Sequence, residues 1–444
     1  MKYFGVLFFG MMLSWSATAQ TISLPYCYDQ ALKHQAILRV NQAAVLNASL
    51  KVEELRARFW PQISAAYDYR YNPILQSSVI PVGLFNTAAP SDKTIAVKFG
   101  TSWNQTAGVT VLQPILDFAV KANKQELQTQ ERIEKNKLQQ QEQSLQYQLL
   151  SSYIKILLRE KELAAAAVDS QRTYTTLQLQ KVKLDAGKLL VTDYNTALIQ
   201  HRANIKAFQM SASAWMKEQV VLSYLTGISL DSLIGLKFET KVLDQLQQSG
   251  LGEIVLDSLA NYRDLKLQAD LLEQRKYSEK VKYKPILSAQ GYLGANQFTN
   301  QFNPFQSNTW FGNSYVGIVA KLPILIGEDK KKRIRQLEVQ QNGLQEQMTD
   351  LQQSLEQQRS LAREELKELN FEEKLYEENV QLYRQNVQVL QDRFEKGLAT
   401  ATDLNQQELL LQGDQLKKQQ VAISAAEKRL EYWKNSGSLV GFFK

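Results

Sequence analysis

Two windows of the chain alternate apolar and polar residues with a period of two, which is typical of β-strands whose two faces meet different surroundings. In the first window the apolar positions run from Ile63 to Tyr71 and again from Ile95 to Val111. The second window, 287–322, is a weaker copy. The run after Ile95 spans about 17 residues, which is long for a soluble β-sandwich. The pattern therefore favours tilted transmembrane strands, with a soluble sandwich as the alternative.

The predicted strands are 63–71, 95–112, 287–297 and 310–322. Four strands are too few to close a barrel, because the smallest bacterial barrels have about eight. If the strands cross a membrane, several copies of the chain must therefore combine them. The segments that join each pair, about 72–94 and 298–309, contain Pro, Asn and Ser and are expected to be exposed loops.

Two proline-free stretches, 115–284 and 324–444, predict very long helices, because proline is excluded from helix interiors. The longest uninterrupted runs end at Gly187 and Gly397. Apolar residues in the second stretch recur at alternating intervals of three and four, the seam of a coiled coil. They are Ile334, Leu337, Leu344, Met348, Leu351 and Leu355. Helices this polar are expected to pack sideways along one narrow stripe while the rest faces water.

A short passage occurs twice, 210 residues apart (397 − 187). In each copy a glycine suited to end one helix is followed by a Thr-Asp pair suited to cap the next helix. The pairs are Thr192-Asp193 and Thr402-Asp403. The chain is therefore interpreted as a duplication built around two helical hairpins. A tube assembled from equivalent parts explains such a repeat better than an enzyme does.

The duplication divides the chain into two repeats around a mixed segment. The predicted boundaries are 1–19 for a signal peptide, 20–227 for the first repeat, 228–250 for an equatorial segment and 251–444 for the second repeat. The β-hairpins are placed at 63–112 and 286–322, and the bends at 187–193 and 397–403. The first return helix, 193–226, is expected to continue into helix 254–284. Helix 403–434 is then expected to abut the N-terminal helix 28–60 end to end.

Residues 1–19 combine Lys2, an apolar stretch and the cleavage motif Ala17-Thr18-Ala19, which predicts export. No cysteine stands directly after that motif, so no lipoprotein acylation is expected. Cys27 is the single cysteine, which excludes an internal disulfide.

The basic residues behind the net charge of +7 are spread along the chain among almost as many acidic residues, which argues against a nucleic-acid partner. The sequence offers no nucleophile–base pair, metal-ligand spacing or phosphate loop, so no catalysis, cofactor or metal is predicted.

Two pairs of matching motifs complete the repeat. Arg58-Phe59-Trp60-Pro61 precedes the first strand as Tyr283-Lys284-Pro285 precedes the third, and Leu112-Gln113-Pro114-Ile115-Leu116 is matched by Lys321-Leu322-Pro323-Ile324-Leu325. In this order the motifs and the two bends resemble the TolC-like outer membrane efflux proteins over essentially the whole mature chain. The resemblance implies an α+β membrane protein. It would be a homotrimer with a twelve-stranded β-barrel in the outer membrane, continuous with a twelve-helix periplasmic α-barrel.

The resemblance also implies a function, that of a passive exit duct in a tripartite efflux or secretion system. The implied partners are a periplasmic adaptor, an inner-membrane pump of the RND, ABC or MFS type, and the lipid of the outer membrane. The substrate, whether drug, metal, protein or polysaccharide, stays open, as does the resting state of the channel. The alternatives are a trimeric coiled-coil adhesin, whose strands would lie together at the C-terminus, and a periplasmic adaptor, which would have one helical hairpin.

In the same family the channel closes at the two bends, where the adaptor docks. Asp403 matches an acidic position that rings the aperture, and Gln406 stands where a second acid often occurs. Phe394 and Ala399 stand where some relatives have a tyrosine and an arginine that latch the closed state, so that latch is not expected here. The alternative role of Asp193 and Asp403 is that of first-turn acids that only stabilise a helix. The predicted gate and docking residues are Gly187, Thr192, Asp193, Asn195, Phe394, Gly397, Thr402, Asp403, Asn405 and Gln406.

Overall fold

The computed structural model describes residues 21–82, 94–248, 252–303, 310–323, 328–437 and 439–443. The predicted signal peptide lies outside these residues, as do parts of both predicted loops and the end of the predicted equatorial segment. The described chain forms two compact units. The bend unit contains the residues up to Ala43, Lys135–Lys266 and those from Glu346 onward, and the sheet unit contains Ala44–Glu134 and Leu267–Gln345.

The six longest helices of the described residues form three pairs of equal length. Their bounds are α1 (Leu24–His34), α2 (Ala36–Ala57), α3 (Phe118–Asp185), α4 (Val191–Thr226), α5 (Leu230–Ile234), α6 (Lys241–Gln248), α7 (Ala260–Val281), α8 (Glu328–Glu395) and α9 (Ala401–Ser436). Helices α3 and α8 have 68 residues each, α4 and α9 have 36, and α2 and α7 have 22. The two halves of the chain therefore match in their three longest helices.

The strands form one larger sheet and two short pairs. Their bounds are β1 (Thr21–Ile22), β2 (Gln62–Tyr71), β3 (Ser77–Pro81), β4 (Thr94–Lys98), β5 (Trp103–Leu116), β6 (Lys237–Phe238), β7 (Ile286–Thr299) and β8 (Trp310–Lys321). An antiparallel sheet has the order β2-β5-β7-β8, while β3 pairs with β4 and β1 pairs with β6. The larger sheet is open, because β2 and β8 have no further partner strand among the described residues.

The prediction of one strand over 95–112 is wrong. The chain leaves the extended conformation at Gly100, whose φ of 115° favours glycine, so β4 and β5 are separate strands. Strand β4 pairs with β3, which lies in the predicted loop 72–94. Strand β5 instead continues through Pro114, where a shift of register accommodates a residue that has no N–H to donate. Helix α3 begins only after Asp117, which accepts hydrogen bonds from two backbone N–H groups of its first turn.

The register gives the sheet one apolar and one polar face. On one face lie Ile63, Tyr67, Val109, Leu293, Val316 and Ile318; on the other lie Ser64, Asp68, Thr106, Thr110, Asn296 and Asn313. The apolar face is uncovered in the single chain, and Val316 is 91% exposed. A soluble monomer rarely exposes so continuous an apolar surface, so this face is expected to meet lipid or protein.

The main core of the bend unit brings together segments that are distant in sequence. Tyr153 of α3 is buried, and its hydroxyl donates to the carbonyl of Ile22 at 2.8 Å and accepts from the backbone N–H of Glu239 at 2.8 Å. This ties the parallel pair β1 and β6 to the middle of α3. Cys27 is buried in the same core, and burial raises the pKa of its thiol to about 12. The thiol therefore stays protonated and packs as a small apolar side chain.

The predicted end-to-end order of the helices is wrong. Gln35, between α1 and α2, donates its side-chain amide to the carbonyls of Tyr224 and Leu225 at 3.2 and 2.8 Å, so the N-terminal helices meet the end of α4. Ser258, just before α7, donates to the carbonyl of Ser436 at 3.4 Å, so α7 meets the end of α9. The last carbonyl groups of a helix have no hydrogen-bond donor within the helix. Gln35 and Ser258 provide these donors for the ends of α4 and α9. The lengths of the helices alone therefore do not reveal which two helices meet end to end.

Gly227→Ala should destabilise the protein more than Gly187→Ala. Both glycines have positive φ, 74° and 69°, so either substitution strains the backbone by about 1 kcal/mol. A Cβ at Gly187 would meet nothing within 4 Å, but at Gly227 it would lie 2.4 Å from the His34 ring. Overpacking adds about 1–3 kcal/mol there. Urea unfolding of the purified variants, followed by circular dichroism, measures the difference.

The His34→Ala background supplies the control for this clash. Gly227→Ala should cost markedly less there, because the ring has been removed. Equal midpoints for Gly187→Ala and Gly227→Ala would show that the junction of α1 and α2 does not press against the end of α4.

Candidate functional site at the two helical bends

The two bends end their first helix in the same way. At the first bend the N–H of Gly187 donates to the carbonyl of Leu184 at 2.9 Å, and the N–H of Lys188 donates to that of Lys183 at 2.8 Å. The corresponding bonds are present at Gly397, whose φ is 74°. This is a Schellman closure, in which a left-handed glycine lets the chain turn back while the last carbonyls keep partners.

The two bends begin their second helix differently. Thr400 is the N-cap of α9: its hydroxyl accepts from the N–H of Asp403 at 3.1 Å, while the Asp403 carboxylate accepts from the N–H of Thr400 at 3.2 Å. The Thr400 hydroxyl also donates to this carboxylate at 2.6 Å. This hydrogen bond and the one from the Thr400 N–H lower the pKa of the exposed Asp403 carboxyl. At the first bend Leu190 holds the cap position, and no side chain caps α4.

The prediction that Thr192 and Thr402 cap the helices is wrong. Each helix begins one residue earlier than the threonine, so both side chains lie inside the first turn. Asp403 is a first-turn acid that closes a capping box. This is the alternative role given above, in which the acid stabilises the helix.

Three of the predicted residues come together between the two bends. The hydroxyl of Thr402 donates to the Asp193 carboxylate at 3.4 Å, and the side-chain amide of Asn405 donates to the Asp193 carbonyl at 3.4 Å. Asn405 is buried and also accepts from Gln180 of α3 at 3.0 Å. The first turn of α9 is therefore attached to both helices of the first hairpin.

Phe394 is buried at the end of α8, in a cluster with Val387, Leu404 and Leu411. The ammonium of Lys183 donates to the Phe394 carbonyl and lies 3.9 Å from the centre of its ring. A cation is favoured at the C-terminal carbonyls of a helix and over an aromatic face. This contact joins α3 to α8. It was not predicted, because the residues around Lys183 give no indication of a partner 211 residues away.

A buried charged group lies deeper in the same hairpins. Arg172 of α3 forms an ion pair with Glu408 of α9, and a second one at 3.3 Å with Asp169. Gln415 of α9 donates to the same Asp169 oxygen at 3.3 Å. Glu408 is only 2% exposed, and burial lowers the pKa of the Arg172 guanidinium. The spacing of Asp169 and Arg172 is that of a local helix pair, so sequence reasoning missed their partners on α9.

The remaining predicted residues face solvent. Thr192, Asn195 and Gln406 are exposed, and no hydrogen bond joins their side chains to the other bend in the described chain.

His201 lies 3.2 Å from the Thr173 hydroxyl. Among the described residues, no three His, Cys, Asp or Glu side chains are grouped as a metal site would require.

None of the described helices is both long and apolar enough to cross a membrane.

Solved structures of bacterial outer membrane proteins share this fold. VceC of Vibrio cholerae, an outer membrane protein, is 14% identical, with a TM-score of 0.70 over 93% of this chain and 96% of its own. The outer membrane channel CmeC of Campylobacter jejuni is 12% identical, with a TM-score of 0.67 over 94% and 85%. The outer membrane channel MtrE of Neisseria gonorrhoeae, solved in its open state, is 14% identical, with a TM-score of 0.66 over 94% and 89%. No family model matches the chain, and no curated protein matches its sequence. The chain therefore shares the fold of these outer membrane proteins, as the resemblance to TolC-like proteins predicts, while the trimer and its closed barrels stay predictions.

Proposed function

We propose that this chain, which has the fold of bacterial outer membrane channels, is the outer membrane exit duct of a tripartite efflux or secretion system. The likeness to channels over 93–94% of the chain carries the proposal. The open sheet with its uncovered apolar face supports a place in the outer membrane. Each 68-residue helix would be about 100 Å long if straight, which suits a periplasmic duct.

The open sheet supports assembly as a homotrimer, the state that the resemblance to TolC-like proteins implies. Three copies supply twelve strands, and the free edges of β2 and β8 pair between neighbours. Apolar side chains also stand exposed on the helices of the bend unit. On α4 they include Ile199, Met210 and Tyr224, and on α8 they include Leu375, Leu382 and Val389. Burying these residues between copies removes them from water, which closes the helical part of the duct.

The two bends form the periplasmic gate in this proposal and offer their exposed faces to a periplasmic adaptor. An inner-membrane pump of the RND, ABC or MFS type supplies the energy. The contacts of Lys183 with Phe394 and of Asp193 with Thr402 hold the two hairpins of one protomer together. They take the place of the tyrosine and arginine latch that this chain lacks.

Two measurements test the proposal. The protein should stay with membranes after carbonate extraction and migrate differently on a gel before and after heating. In planar bilayers the purified protein should form channels whose conductance exceeds that of a protein-free membrane. A protein that carbonate releases, or that conducts no ions, is not an outer membrane duct.

Asp403→Asn should reduce the cation selectivity of the channel and its block by divalent cations. In a trimer three Asp403 carboxylates would lie around the axis, where they attract cations. Asparagine keeps an acceptor for the Thr400 N–H but removes the charge. Reversal potentials in asymmetric salt, and titration with magnesium, measure the effect.

Thr400→Ala is the matched control for this change. It removes the cap, at about 1 kcal/mol, but keeps the carboxylate of Asp403. Cation selectivity should therefore survive in Thr400→Ala. If Asp403→Asn conducts and is blocked like the wild type, Asp403 is only a helix cap.

A further inference from the structure

The start of α8 carries a dense basic run. Five of the six residues 330–335 are Lys or Arg, and the run follows shortly after β8 ends at Lys321. Lys331, Lys332 and Arg335 are exposed, Lys332 by 77% of its side chain. The sequence prediction of an evenly spread charge overlooked this run.

Further cations lie beside the run, at the ends of neighbouring strands. The Lys330 ammonium is 4.3 Å from the ring of Tyr283, and the Lys284 ammonium is 4.6 Å from the ring of Phe118. Tyr283 and Lys284 immediately precede β7, and Phe118 follows β5. The cations therefore lie where three strands of the sheet begin or end, with aromatic rings among them. We call the segments 279–284, 321–323 and 328–338 the basic collar.

Acidic neighbours neutralise only part of the collar. Its segments contain nine basic residues against four acids, Glu279, Glu328, Asp329 and Glu338. Arg333 pairs with Asp329 at 3.0 Å and lies 3.9 Å from Glu279, and Arg335 pairs with Glu338 at 3.2 Å. A surplus of five positive charges remains (9 − 4), most of the chain's net +7.

The position of the basic run is unfavourable within the chain itself. The N-terminal end of a helix carries a partial positive charge, which Glu328 and Asp329 in the first turn of α8 offset, but the basic run that follows them directly outnumbers these acids. Such an arrangement is explained when negative charge from outside the chain compensates it. Clusters of four to eight Lys or Arg beside a membrane-spanning segment are typical sites for anionic lipid headgroups, and aromatic rings are enriched at the same depth.

We infer that the basic collar binds the phosphate headgroups of anionic phospholipids in the periplasmic leaflet of the outer membrane. This inference rests on the proposed function, because it requires the sheet to lie in that membrane. The acyl chains would lie along the apolar face of the sheet, while the headgroups meet the Lys and Arg side chains. Lipid of this leaflet would then fix the depth of the protein in the membrane.

The test compares lipid binding by two triple variants of the full-length protein in non-ionic detergent. The first is Lys330→Gln, Lys331→Gln and Lys332→Gln. The control is Lys161→Gln, Lys367→Gln and Lys374→Gln, which removes the same charge from exposed positions on α3 and α8 in the bend unit. Native mass spectrometry measures the retention of phosphatidylglycerol and of phosphatidylethanolamine with the same acyl chains.

The wild type and the control should prefer phosphatidylglycerol. The collar variant should lose at least about tenfold in affinity for it, since each cation near an anionic surface contributes roughly fivefold. Equal retention of both lipids by the wild type, or equal losses in both variants, overturns the inference. Displacement of the lipid by inorganic phosphate at similar concentration also overturns it, because the site would then recognise free phosphate.

Conductance measured on the same preparations separates this inference from the proposed function. A protein that conducts but shows no preference for phosphatidylglycerol refutes the collar alone. A protein that prefers the anionic lipid but forms no channel refutes the duct and leaves the lipid site standing.

Discussion

Val109→Asp is expected to abolish assembly of the protein in the outer membrane. Val109 lies on the apolar face of β5, opposite Ala65 on one neighbouring strand and Leu293 on the other. If this face meets lipid, a charge near the midplane of the bilayer costs about 2–4 kcal/mol. A trimer would bear that cost three times. The amount of heat-modifiable trimer in the outer membrane fraction measures the outcome.

Thr110→Asp is the matched control, because Thr110 is the next residue of the same strand. It lies on the polar face, opposite Ser64 and Tyr292. In a closed barrel this face lines the water-filled interior, so the same charge should be tolerated. If both variants assemble equally well, or both fail, the apolar face of the sheet does not face lipid.

Arg172→Met is expected to destabilise the bend unit by about 3–5 kcal/mol, because it leaves Glu408 as a buried charge that has lost its ion pair. The variant should unfold at lower denaturant concentration. It should also show higher conductance in planar bilayers, since the pair joins α3 of the first hairpin to α9 of the second. Circular dichroism during urea unfolding and single-channel recording measure the two effects.

Two further variants give this prediction its controls. The double variant Arg172→Met with Glu408→Leu should recover much of the lost stability, because no buried charge remains unpaired. Lys367→Met breaks an exposed pair with Glu364 and should cost about 0.5 kcal/mol or less. A double variant as unstable as Arg172→Met alone would show that the loss does not come from an unpaired Glu408.

The fold class could be predicted because its signals are local and repetitive. Alternation with a period of two located the strands around Val109 and Leu293, and the absence of proline located α3 and α8. The glycines at 187 and 397 located both bends, since a left-handed residue at a helix end is a property of a few neighbouring positions. These signals do not depend on how distant parts of the chain meet.

Details within single elements were less predictable. The strand expected over 95–112 is interrupted at Gly100, because the run of alternating residues does not show where the backbone turns away. Thr400 caps α9 in place of Thr402, because several polar residues near a helix start compete for one cap position. In both cases several neighbouring residues have similar propensities, and only the backbone conformation shows which of them ends the strand or caps the helix.

The site depended most on pairs that lie far apart in the chain. Period and spacing were enough to give Asp193, Asp403 and the bend glycines a common location, because a repeated turn places equivalent residues at equivalent points. The partners of Lys183, Arg172 and Gln35 lie roughly 190 to 240 residues away. No local pattern specifies such pairs, since many Lys, Arg and Gln residues on polar helices look alike in sequence. Which of them becomes buried and finds an acceptor is decided only when the helices pack, because burial makes an unpaired polar group costly.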